Sequence, residues 1–102
     1  MEISRQEAID LLHKWFEERT PVTALLFAAD SSIKVGVTGF VNGLSDMILV
    51  SDGPRDEEMP KNFILVPGLF MKSYEYSDPG TPSVSVEYLS GVRLSIFENH
   101  SN

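Results

Sequence analysis

Cysteine is absent from the 102 residues. That excludes disulfide staples, thiolate metal sites and a cysteine nucleophile, and it suits a reducing compartment. Positive charge is scarce: eight Lys and Arg stand against fifteen Asp and Glu, for a formal net charge of −7. An acidic chain opposes broad electrostatic capture of phosphate backbones or anionic membranes. The few cations are also dispersed, from Arg5, Lys14 and Arg19 through Lys34 and Arg55 to Lys61, Lys72 and Arg93. No apolar run approaches the roughly 20 residues of a spanning helix. The first residues carry Glu2, Glu7 and Asp10 where a signal peptide would be basic, so the expectation is a cytoplasmic protein without a membrane partner. Histidine is limited to His13 and His100, in no metal or triad spacing. No nucleophile elbow, phosphate loop or dinucleotide fingerprint occurs, so neither an enzyme, a metal nor a cofactor is expected. Internal repeats and low-complexity tracts are lacking too.

What remains is a globular composition, 42% apolar and 23% charged, in a length that suits one domain over 1–102. Ser4-Arg5-Gln6-Glu7 matches a capping box. Ala8, Ile9, Leu12, Trp15 and Phe16 follow at helical spacing, and Pro21 disfavours a helical Thr20. A helix is therefore expected over 5–18, too short to stand alone.

From Val22 the period changes. Strands are expected at about 22–29, 33–41, 46–51, 63–76 (broken at Pro67-Gly68), 83–89 and 92–97. The first is apolar on both faces, which predicts cover on both. The second alternates, with glycines at 36 and 39 that suggest a bend. Asn42-Gly43 reads as a hairpin turn, and Asp30-Ser31-Ser32 and Ser90-Gly91 as further turns. Residues 51–61 make a polar loop with two prolines and four acids.

One helix followed by five or six strands resembles the order of the Sm/LSm family. Val35-Gly36-Val37-Thr38-Gly39-Phe40 and Asp46-Met47-Ile48-Leu49 are similar to its first motif, and Leu89-Ser90-Gly91 stands at the place of its second. The resemblance implies a small, strongly bent antiparallel Sm-like (SH3-like) barrel, mostly β with one N-terminal helix. It implies a homo-oligomeric ring in which the strand from Ser83 to Leu89 of one subunit pairs with that from Val92 to Phe97 of the next. It also implies single-stranded RNA as a partner. Val41 stands where the family has Asp, Asp46 or Ser45 where it has the base-contacting Asn, and Ser90 where it has Arg. The family's uridine pocket is thus not encoded.

Two loops carry the candidate binding residues. Phe40 could stack a base, at about 1–3 kcal/mol per base, beside Asn42, Ser45 and Asp46; turn chemistry and packing is the plainer account and the favoured one. Ser90 and Arg93 could form the second loop, against a surface arginine paired with Glu87 or Glu98. Asp52, Asp56, Glu57 and Glu58 fit a solvated loop better than a cation site. Tyr74, Tyr76, Phe70 and Tyr88 fit a subunit interface or inner packing equally. Two functions follow: a divergent Sm-like RNA binder, or a protein-interaction or assembly scaffold that has lost the RNA site.

Overall fold

A computed structural model describes residues 1–53, 62–77 and 82–99. The helix α1 spans Arg5–Glu18, as the spacing predicts. Its start is set by the capping box: the Ser4 hydroxyl accepts from the Glu7 amide at 3.1 Å, and the Glu7 carboxylate accepts from the Ser4 amide at 3.2 Å. Its end is set by Arg19, which takes the left-handed conformation with φ 53° just before Thr20-Pro21. Ala8, Leu12 and Trp15 are fully buried on one stripe. The indole Nε1 donates to Glu98 Oε1 at 2.9 Å, so the largest core side chain leaves no polar atom unmet.

Among the described residues eight strands follow the chain: β1 (Glu2–Ile3), β2 (Val22–Phe27), β3 (Ile33–Leu44), β4 (Met47–Ser51), β5 (Phe63–Pro67), β6 (Lys72–Ser77), β7 (Pro82–Glu87) and β8 (Arg93–Glu98). They form one antiparallel sheet in the order β1-β6-β7-β8-β2-β3-β4-β5. The helix covers the inner face, against β3, β6 and β7. Val22, Ala24, Val84, Val86, Leu94 and Ile96 supply that face in one half of the sheet, and Val41, Ile48, Val50 and Ile64 in the other.

The halves meet on β3. Residues 33–39 pair with β2, and residues 40–44 pair with β4. Gly39 sits at the switch. A Cβ there would overlap the Ser51 carbonyl oxygen and come to 2.7 Å from Asp52 Cα. The bend inferred from the strand glycines is therefore a close backbone crossing that only glycine admits.

Four expectations are corrected. The sheet is open: among the described residues no pairing closes β5 onto β1, so a small barrel does not describe it. The strands expected to pair between subunits are a hairpin within one chain, with Val84 opposite Ile96 and Glu87 opposite Arg93. Both are interior strands, held on their other sides by β6 and β2, so neither offers a free edge. Asn42-Gly43 is not a turn. Neither residue has positive φ; β3 runs on to Leu44 with a bulge between Val41 and Gly43, and the chain reverses at Ser45-Asp46. Finally, Pro67-Gly68 does more than break a strand. It carries the chain from β5 at one end of the sheet to β6, which with β7 makes an added hairpin beside β1. The other turns stand where expected: Ser31 has φ 71°, and Gly91 has φ 91°.

Candidate functional site

The outer face of β6, β7, β8 and β2 carries the most varied chemistry among the described residues. Pairing register and a period of two put three rows on that face. One row is Lys72, Glu87, Arg93 and Phe27; the next is Tyr74, Ser85, Ser95 and Leu25; the third is Tyr76, Ser83, Phe97 and Thr23. In the middle row β7 and β8 carry only Ser85 and Ser95, between Tyr74 and Leu25, so the face is hollowed there. The hollow is a groove of about 370 Å³ lined by Phe27, Tyr74, Tyr76, Ser85, Glu87, Arg93 and Ser95.

Each wall is positioned. The Arg93 guanidinium carbon lies 4.9 Å from the centre of the Phe27 ring, a cation–π contact that also covers the ring. The Tyr74 and Tyr76 rings are 6.5 Å apart and inclined by 21°. The Ser85 and Ser95 hydroxyls bond each other at 2.8 Å across the floor. One rim thus offers a guanidinium and a carboxylate, the other two phenol rings. The groove can hold an extended chain, pair with a charge of either sign and stack a flat or cationic group.

Of the candidate binding residues named from the sequence, only Arg93 lines this groove; Tyr74 and Tyr76, expected at a subunit interface or in inner packing, line it too, as does Glu87. Arg93 lies over Phe27 and stands opposite Glu87 in the strand pairing. Phe40 is half-buried opposite Ser51. The Asn42 amide is committed: it donates to Ser51 Oγ and, at 2.7 Å, to the Gly53 carbonyl. Ser45 and Asp46 are exposed at the β3–β4 turn, and Ser90 at the β7–β8 turn. The two turns approach through Pro67-Gly68: the Asp46 carbonyl accepts from the Gly68 amide at 2.7 Å, and the Tyr88 hydroxyl donates to the Pro67 carbonyl. Phe70 is buried, under the Arg5 guanidinium. Asp52 accepts from the Asn62 amide at 3.0 Å and ties β4 to β5; Asp56, Glu57 and Glu58 lie outside the described residues. Among the described residues no three His, Asp or Glu side chains gather for a metal, and no helix is long and apolar enough to cross a membrane.

The chain matches no protein-family model, no curated protein and no solved structure. Its reading rests on its own geometry. Phe27, Ser85 and Ser95 escaped notice because each looked like ordinary strand alternation, while Tyr74 and Tyr76 were expected at an interface or in packing and Glu87 beside Arg93, without a shared groove. The available signal was VSVEY and VRLSIF, where the polar positions of two neighbouring strands are Ser and Glu in one and Arg and Ser in the other. Aligned antiparallel, these put the serines together and the opposite charges together.

Proposed function

We propose that this chain is a protein-interaction module that takes a basic, extended peptide segment in the β6–β7–β8–β2 groove and assembles with copies of itself. The observation that carries the reading is the groove, with stacked tyrosines on one rim and Glu87 beside an aromatic-backed Arg93 on the other. Tyrosine and arginine are the residues enriched at protein interfaces. The net charge of −7 steers cationic partners toward the chain and repels anionic ones. Glu87 can pair a lysine or arginine, and the phenol rings can hold its stem or its charge. Descent from an Sm-like fold and a cytoplasmic place belong to the same reading. The helix leading into a strongly bent strand and the absence of cysteine support them.

Fluorescence anisotropy tests it, with labelled lysine-rich and glutamate-rich peptides, oligo-uridine and oligo-adenine as probes. The lysine-rich peptide should bind, weaken with salt, and be lost in Glu87→Lys and Tyr76→Ala. Binding of the peptides regardless of charge, or unaltered binding by both variants, would remove the groove from the account.

A second reading has one observation of its own. The β3–β4 and β7–β8 turns, which carry Ser45, Asp46 and Ser90, both touch Pro67-Gly68. That juxtaposition favours single-stranded RNA at this end of the sheet. Salt-sensitive binding of either oligonucleotide, lost on changing Asp46 or Ser90 and untouched by Glu87→Lys, would select it.

A further inference from the structure

Among the described residues the strand β5 ends the sheet, with no strand paired on its outer side. Which backbone groups are free follows from the bonds that bracket it. The Asp52 amide donates to the Asn62 carbonyl at 3.1 Å, and the Gly68 amide donates to the Asp46 carbonyl at 2.7 Å. With Leu49 opposite Leu65, antiparallel alternation then turns the backbone of residues 62, 64, 66 and 68 toward β4 and that of 63, 65 and 67 away. The Tyr88 hydroxyl donates to the Pro67 carbonyl. Proline has no N–H, and its carbonyl is taken. Among the described residues, nothing takes the one donor and one acceptor that Phe63 and Leu65 each direct out of the sheet.

The side chains agree. Phe63 is 54% and Leu65 51% exposed, while Ile64 and Val66 between and beyond them are buried. Edge strands are ordinarily protected by charge. The sequence Phe-Ile-Leu-Val-Pro carries none, and only Pro67 blunts one end. Exposed Met47, on the neighbouring strand opposite Pro67, continues the apolar face.

We infer that β5 pairs antiparallel with β5 of a second copy about a two-fold axis at Ile64, resting on the assembly half of the reading above. The free groups select this register. With the axis at Ile64, Phe63 faces Leu65 of the copy and Leu65 faces Phe63, so every free donor meets a free acceptor in four bonds. An axis at Leu65 would set Phe63 against Pro67, which has neither group to give. The set is complementary to itself, as an isologous interface must be, and the pairing places Phe63 against Leu65 twice.

Charge makes this association distinctive. Two chains of net charge −7 repel, and the paired segment has no charges, so added salt should strengthen the dimer. Salt should weaken a basic peptide on the groove.

Sedimentation equilibrium over a dilution series, with amide hydrogen exchange on the same samples, decides it. The mass should rise with concentration from 11.4 kDa toward twice that value, and further in high salt. The Phe63 and Leu65 amides should gain protection with concentration, while the Ile64 and Val66 amides should be protected at every concentration. Leu65→Pro deletes only an outward N–H, which an edge strand tolerates, and Phe63→Lys adds a charge at the axis. Both should stay monomeric, while Glu87→Lys on the groove should dimerise as the unaltered chain does. A strict monomer would overturn the inference, as would a dimer whose Phe63 and Leu65 amides exchange freely. In either case the peptide titration is unaffected, so failure here is separable from failure of the groove.

Discussion

The strands β7 and β5 alternate with the same period, yet they present opposite outer faces. On β7, Val84 and Val86 point to the core and Ser83, Ser85 and Glu87 point out. On β5, Ile64 and Val66 point in and Phe63 and Leu65 point out. The first strand lies inside the sheet, with a neighbour on each side; the second lies at its end. An interior strand has its backbone satisfied, and its outer side chains are free to be polar and to recognise something. A terminal strand has unmet backbone groups, and apolar side chains there make those groups adhesive. The difference assigns the two halves different work: a ligand groove on the β6–β7–β8–β2 half, and an assembly edge on the β4–β5 half.

The largest effect should come from the joint between the halves. Gly39→Ala sets a methyl group on the Ser51 carbonyl oxygen, and backbone on two strands must move apart to admit it. Overpacking costs about 1–3 kcal/mol when side chains can shift; backbone cannot, so about 3 kcal/mol or more is expected. The measurement is the urea midpoint. The comparison Gly36→Ala should cost far less, since a Cβ there meets only the end of the Leu25 side chain, at 3.1 Å. Equal losses at the two glycines would mean that β3 does not turn at Gly39.

A smaller effect on stability, with a large effect on binding, is expected on the groove floor. In the double substitution Ser85→Val and Ser95→Val both hydroxyls that bond each other are replaced together, so no polar group is orphaned. Valine also favours strands, on a scale that spans about 1 kcal/mol. The stability should change by less than about 1 kcal/mol, while four added methyl groups fill the groove and end peptide binding. A folded double variant that binds the lysine-rich peptide as before would move the ligand off this face.

Much of the fold was legible because its signals were local. The capping box, the Pro21 stop and the buried stripe gave α1 its bounds, and alternation gave β2, β7 and β8 to within two residues. Pairings were less legible, because they are set at long range. Asn42-Gly43 has hairpin chemistry, but the demand of Ser51 and Gly53 for a donor holds Asn42 in a bulge. Two neighbouring strands near the end of the chain could pair with each other or across subunits; alternation is the same either way. β1 is only two residues, shorter than any period. The groove was least legible, since it exists only once β6 and β2 flank the serines of β7 and β8, and β6 lies 45 or more residues from β2 in the chain. Arg93 was noticed for its place near a turn, yet its function in this account comes from the register that sets it over Phe27.

The smallest effect concerns a side-chain tie from β5 back to the other half. Tyr88, just after β7, donates its hydroxyl to the Pro67 carbonyl. Burial pushes that hydroxyl up from its ordinary 10.0 to about 12, so folding favours the neutral, donating form. The sign follows from linkage. A group whose pKa rises on folding contributes stability that is complete below the unfolded value and is lost as pH climbs through the folded one. Tyr88 therefore supports the fold fully below pH 10, and its support fades between pH 10 and about 12. Tyr88→Phe removes one hydrogen bond beside solvent and should cost about 0.5–1.5 kcal/mol at neutral pH. Urea midpoints of the two proteins, followed upward from pH 8, should differ at first and converge above pH 10, because the variant has no hydroxyl to lose. Midpoints already equal at pH 8 would mean the Tyr88 hydroxyl does not hold β5. Pro67 would then have a free carbonyl, and an axis at Leu65 would regain one of the two groups it lacks.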